Sequence, residues 1–135
     1  MYLREGQVFE AKSHVQFLNE LLGITLPEYR SSTYMYQGVS IWMIRLDGEN
    51  RKGWRNTYVT PERIQQENIH CKKFWNGVPF MEATREQAIR LVIEVCEMAD
   101  GEREYVFRGV YEWNEADSNL KYQYFDKIAS EFEFD

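Results

Sequence analysis

The first periodic stretch of the chain is helical. Ser13-His14-Val15-Gln16 has capping-box spacing, a serine at the cap and a glutamine three residues on. Phe17, Leu18, Leu21 and Leu22 then fall on one helical stripe, and Gly23 supplies a C-terminal stop. The pattern predicts a helix over 14–22. Period two follows. Val39, Ile41 and Met43 alternate with Ser40, Trp42 and Ile44, and Asp47-Gly48 is a turn signal, which predicts a strand over 39–46. Residues 49–53 are a polar loop. Trp54 to Thr60 reads as a second strand, stopped by Pro61. Residues 61–82 carry little period: Ile64 and Ile69 are the aliphatic anchors, and Asn76-Gly77 is a turn dipeptide. The segment Cys71 to Gly77, with Lys72, Lys73, Phe74 and Trp75, reads as an exposed loop.

Residues 84–98 fit two periods. Thr84-Arg85-Glu86-Gln87 repeats the capping-box spacing, and Ala88, Leu91, Val92 and Val95 make a helical stripe. Ile89, Leu91, Ile93 and Val95 also alternate with Arg90, Val92, Glu94 and Cys96, and the β-branched density favours a strand. Asp100-Gly101 and the run Tyr105 to Trp113 come next. The expectation is a hairpin of 89–97 with 104–113, after a short helical turn at 84–88. In the second run Tyr105, Phe107, Gly109, Tyr111 and Trp113 fall on one face, and Val106, Arg108, Val110 and Glu112 on the other. Tyr122, Tyr124, Ile128, Phe132 and Phe134 predict a last strand and a docked terminus. The sum is four to six strands, mostly antiparallel, with one or two short helices. This is an α+β fold with a strongly bent or barrel-like sheet. No repeat, linker or low-complexity segment interrupts it, so residues 1–135 read as a single domain.

Composition changes the picture in one respect. Aromatic residues make up 16% of the chain, with four Trp, nine Tyr and eight Phe. Tyr and Trp each carry a polar atom that needs a partner, so some rings are expected to line a groove or an interface. The net charge of −6 excludes duplex binding by bulk electrostatics, which draws on Lys and Arg neutralising phosphates. A nucleic-acid partner would need a local basic patch, or stacking and base-edge contacts. An acidic face could instead imitate DNA on a basic protein. Cys71 and Cys96 are the only cysteines, and the first residues lack an apolar signal region. Reduced thiols and a cytoplasmic location are therefore expected. No apolar run reaches the ~20 residues of a membrane helix, so no membrane partner is expected. Oligomeric state is not readable.

Catalytic and metal signals are poor. His70-Cys71 has no second ligand at metal spacing, Gly48, Gly53 and Gly77 are isolated, and the carboxylates Glu62, Glu67, Glu94, Glu97, Glu112 and Asp117 show no signature. No metal, cofactor or catalytic residue is expected, and a non-enzymatic binding module fits better. The suggestive stretch is Gly53-Trp54-Arg55-Asn56-Thr57-Tyr58. Trp54 offers a stacking surface and Asn56 an amide able to read a base edge. Trp42, on the neighbouring predicted strand, would form a second wall. Arg51, Lys52 and Arg55, with Lys72 and Lys73, would give a cationic rim. The plainer alternative makes Trp54 a core anchor and Asn56 a turn residue. Gly109, within an aromatic strand, marks either close packing or the approach of a ligand.

Gly53-Trp54-Arg55-Asn56, the strand around Arg90-Leu91-Val92-Ile93, and Tyr105-Val106-Phe107-Arg108-Gly109-Val110-Tyr111 together resemble small PUA-like domains. These accompany nucleases and helicases in restriction and phage-defence systems, and are similar to SRA- and EVE-type readers of modified bases. The resemblance implies a flipped or modified base held in an aromatic pocket on a curved sheet, with Trp42, Trp54 and Asn56 as pocket residues. The leading expectation is recognition of a nucleobase or nucleotide-like planar group. The alternative is an acidic, aromatic protein-interaction factor, a phage- or defence-related inhibitor or DNA mimic. It would use Glu131-Phe132-Glu133-Phe134-Asp135 against a basic partner.

Overall fold

The computed structural model describes all 135 residues. The predicted helix, α1 (His14–Leu22), forms as its caps dictate. The Ser13 hydroxyl accepts from the Gln16 N–H at 3.1 Å. The Gln16 side chain reaches one residue further back than a capping box, to the Lys12 N–H at 2.7 Å. Gly23 closes the helix at φ 65°, its N–H donating to the Asn19 carbonyl at 2.9 Å. Phe17, Leu18 and Leu21 are buried.

The main sheet runs β3 (Thr33–Tyr36), β4 (Val39–Ile44), β9 (Ile89–Glu97), β10 (Arg103–Trp113), β11 (Tyr122–Ala129), β6 (Arg63–Asn68), β5 (Trp54–Thr60). Its pairs are antiparallel except β4 with β9. A short β2 (Val8–Ala11) pairs with the first part of β10, while β11 takes the second part. Two minor pairs flank the sheet: β1 (Tyr2–Arg4) with β12 (Glu131–Glu133), and β7 (Phe74–Trp75) with β8 (Val78–Pro79). The latter turns at Asn76 and Gly77, with φ 50° and 77°, so the turn dipeptide closes a tight hairpin. A second helix, α2 (Phe80–Glu86), follows directly.

Both faces of the sheet are covered. Ile41, Met43, Leu91, Ile93, Tyr105 and Phe107 pack beneath α1. Trp42, Ile44, Val92, Tyr111, Trp113 and Phe125 build a second core on the opposite face. This is why β4 and β9 read as nearly continuous apolar runs.

Three expectations need correction. The sheet is bent but open: β3 and β5 are its two edges, and they do not pair with each other. The chain has twelve strands rather than four to six: β1, β2, β3, β7, β8 and β12 have only two to four residues each, too few to show a period, and β6 reads Arg-Ile-Gln-Gln-Glu-Asn, with Ile64 as its one apolar anchor. The helical turn expected at 84–88 starts four residues earlier, since Thr84 lies inside α2 and its hydroxyl donates to the Phe80 carbonyl at 2.9 Å.

The alternation predicted for β10 also breaks. Phe107 pairs with Ile93 and Gly109 with Val92, leaving Arg108 as the extra residue of a bulge. Tyr105 and Phe107 therefore face one core, while Tyr111 and Trp113 face the other. Gly109 has φ +125°, and a Cβ there would lie 2.8 Å from Lys127 Cε and 2.9 Å from the Ala129 carbonyl oxygen. Gly109→Ala is expected to cost about 2–4 kcal/mol, combining an unfavourable φ with overpacking against backbone. Chemical denaturation measures it; a loss below about 0.5 kcal/mol would mean that the bulge relaxes freely.

Candidate functional site

The opening between the two arms of the sheet is a cleft of about 730 Å³. One arm contributes Trp42, Met43 and Ile44 of β4, the other Trp54 and Asn56 of β5, and α2 contributes Phe80, Ala83 and Thr84. Here a barrel would have closed.

The wall on the β5 side is aromatic. Trp54 is stacked on Phe80, with centroids 5.4 Å apart and planes 25° apart, and meets Trp75 edge-on at 5.8 Å. Lys72 Nζ lies 5.4 Å from the Trp75 ring centroid. Trp54 and Trp75 are half-buried, so part of each ring remains accessible. Phe74, next to Trp75 on the hairpin, is 57% exposed.

Asn56 holds the least expected polar atom. Its Oδ1 is the one buried side-chain nitrogen or oxygen without a hydrogen-bond partner. Leaving such an acceptor unpaired costs about 1–3 kcal/mol, so it calls for a partner that the protein itself does not supply. Strand geometry accounts for its placement: Trp54 and Asn56 are two residues apart on β5 and share a face.

The cleft's charge opposes that of the chain. Its lining includes Arg30, Arg45, Arg51, Lys52, Lys72 and Arg90, and no Asp or Glu, although the chain has 22 carboxylate side chains and a net charge of −6. Arg45 is paired with Glu97, Arg51 with Asp47 and Arg30 with Glu28, each through a carboxylate outside the lining. Lys52, Lys72 and Arg90 have no carboxylate partner, so the unpaired charge along the cleft is positive.

The expected site residues divide. Trp54, Asn56, Arg51 and Lys52 line the cleft together. Trp42 lines its floor rather than a wall: it is 1% exposed and packs 4.9 Å from the Phe125 ring. Arg55 is turned away, as the intervening residue of β5, and pairs with Glu67 on β6 at 2.8 Å. Lys72 joins the lining, but Lys73 does not. The sequence reading passed over Phe80, Gln66, Gln87, Thr84 and Arg90, which also line the cleft.

Arg90 is 5% exposed. Its guanidinium rests across the rings of Trp42 and Phe125, 4.5 Å from each centroid. Burial lowers its pKa to about 9, which leaves it charged at neutral pH. At the other end of the cleft, His14 Nδ1 lies 2.8 Å from the Tyr105 hydroxyl. Burial, and then the nearby Arg103 and Arg45, lower the His14 pKa to about 4. A histidine whose folded pKa is depressed takes up its proton more readily in the unfolded chain. His14 therefore withdraws stability as pH falls through the window from about 6.5 to about 4. For this half-buried ring the effect is about 1–2 kcal/mol after solvent screening. His14→Asn is expected to flatten that part of the pH–stability curve; an unchanged curve would show that the ring titrates alike in both states.

No known family model matches the sequence, and no curated protein matches it. The fold does have a counterpart among solved structures. The 5-hydroxymethylcytosine-specific restriction enzyme AbaSI superimposes with a TM-score of 0.72 over 98% of this chain, at 21% identity. At this identity the match shows a shared fold. This chain spans 42% of the length of that enzyme's chain. The structure also has no helix long and apolar enough to cross a membrane.

Proposed function

We propose that this chain is a nucleic-acid-binding module that holds one modified nucleobase, turned out of a duplex, in the cleft between β4 and β5. The observation that carries this reading is Asn56 Oδ1, a buried acceptor without a protein partner, on the same face as Trp54. An acceptor there would meet an exocyclic amino group, and the Trp54 and Trp75 rings supply stacking surface for a planar ligand. The cations along the cleft fit the phosphates on either side of an extruded nucleotide. The volume is within the range of sites for drug-sized ligands, ample for a nucleotide. The neighbour's specificity for 5-hydroxymethylcytosine makes that base the first ligand to try.

The test compares duplexes that differ at one position, 5-hydroxymethylcytosine against cytosine, by fluorescence anisotropy. The expected result is selective binding of the modified duplex, weakened about 5- to 100-fold by Asn56→Ala. Binding should also weaken as salt is raised, as phosphate contacts require. If neither duplex binds at low salt, the proposal fails. The protein-interaction alternative would use the C-terminal segment. Its backbone is docked, with Glu131–Glu133 paired to β1 and Phe134 buried, while Glu131, Glu133 and Asp135 stay exposed at one edge of the molecule.

A further inference from the structure

Arg90 is unusual for a buried charge. It lies in the second position of β9, among Ile89, Leu91, Val92 and Ile93. Buried guanidinium groups are ordinarily paired with a carboxylate. Here none is present: Nε donates to the Gln87 carbonyl at 2.9 Å, and that is its sole hydrogen bond to the protein. No carboxylate lines the cleft onto which it opens. A guanidinium has five N–H groups, so most of those on Arg90 have no protein acceptor. The Trp42 and Phe125 rings support its charge but supply no in-plane acceptor. The fork is thus fixed at the cleft floor with its donors unspent. A ligand that fits must bring acceptors, and two adjacent acceptors match the fork best.

We infer that Arg90 reads the base in the cleft, donating to the N3 and O2 of a cytosine ring and thereby selecting cytosine over thymine or uracil. This rests on the nucleobase reading given above and adds the residue that sets base identity. Cytosine presents N3 and O2 as neighbouring acceptors, with its amino group beside them. Uracil and thymine carry N3–H between two carbonyls, so a donor would face the guanidinium donors. Asn56, whose unpaired acceptor would meet the 4-amino group, adds to the same discrimination, while Arg90 supplies the contact to the two ring-edge acceptors. A substituent on C5 lies on the far edge of the ring and leaves this contact untouched. Base identity and base modification are therefore read by different parts of the cleft.

The test uses two duplexes with the same substituent on different rings, one 5-hydroxymethylcytosine or one 5-hydroxymethyluracil, bound to the full chain. Wild type is expected to favour the cytosine duplex by roughly 10- to 100-fold, the discrimination a bidentate contact gives. Arg90→Met fills similar space on the two rings without donors and is expected to cut the ratio by about 5-fold or more, under that same contact argument, with any remainder resting on Asn56. Arg90→Lys keeps the charge but loses the fork, and is expected to do the same should the Met variant fail to fold. If wild type selects the cytosine duplex and both folded variants keep that ratio, the assignment to Arg90 is overturned while the nucleobase reading stands. If wild type binds neither duplex, both fall together.

Discussion

Trp54→Ala is expected to weaken binding of a duplex carrying a modified base by about 10- to 100-fold, while the variant still unfolds in one cooperative step. The size follows from the 1–3 kcal/mol that stacking contributes per base. Trp54 is half-buried, with one face on Phe80 and an edge towards Trp75. Its removal strips the wall of the cleft more than it empties the core. Fluorescence anisotropy measures the binding, and circular dichroism with heating measures the fold. Trp54→Phe, which keeps a flat apolar ring, should recover most of the affinity. Should the alanine variant lose its cooperative transition, Trp54 would be a core anchor and the cleft would lose its wall. An alanine variant that binds as wild type would also remove stacking on this ring from the account.

How far the fold could be read depended on how many faces of each element are buried. Helix α1 has one buried stripe and two capping residues, so Ser13, Phe17, Leu21 and Gly23 define it almost to the residue. Strands β5, β9 and β10 were legible because β-branched and aromatic residues fill them between strong turn signals. Strand β6 was not, because only Ile64 and Asn68 on it are buried, and one of those is polar. Asn68 satisfies the turn that follows, bonding to Lys72 and to the Leu120 carbonyl, a task that leaves no periodic trace. The face exchange within β10 was also hidden. A bulge inserts one residue, and period-two reading has no means to place it.

The site was partly legible for the same geometric reason. Trp54 and Asn56 share a face of β5 by alternation, and alternation also places Arg55 on the other face. That signal was in the sequence, although the cationic character of Arg55 drew it into the expected rim. The role of Trp42 could not be read, since both faces of β4 are covered and its exposure depends on Phe125, more than eighty residues later in the chain. Arg90 left a trace, a single charge inside an otherwise apolar stretch. The absence of carboxylates along the cleft left none. It arises only when residues of α1, β3, β4, β5, β6, β7, α2, β9 and the loops between them converge.

Trp42→Ala is expected to have the largest effect on stability of any substitution considered, about 3–5 kcal/mol for truncating a large aromatic in a core. Trp42 is 1% exposed, and its removal would take one of the two rings from beneath the Arg90 guanidinium. A buried charge that loses part of its support adds to the cavity cost, since nothing nearby can pair with it. Against a total stability of about 5–15 kcal/mol for a domain of this kind, such a loss removes between about a fifth and all of the margin. Trp42→Phe restores part of the volume and an aromatic face, so its loss is expected to be about half as large or less. Urea titration of the three proteins separates these terms. A combined Trp42→Ala, Arg90→Met variant tests the coupling: if the ring chiefly supports the charge, the second change should cost less in the absence of Trp42 than in its presence. Additive losses would instead make Trp42 a packing residue that happens to lie beneath Arg90.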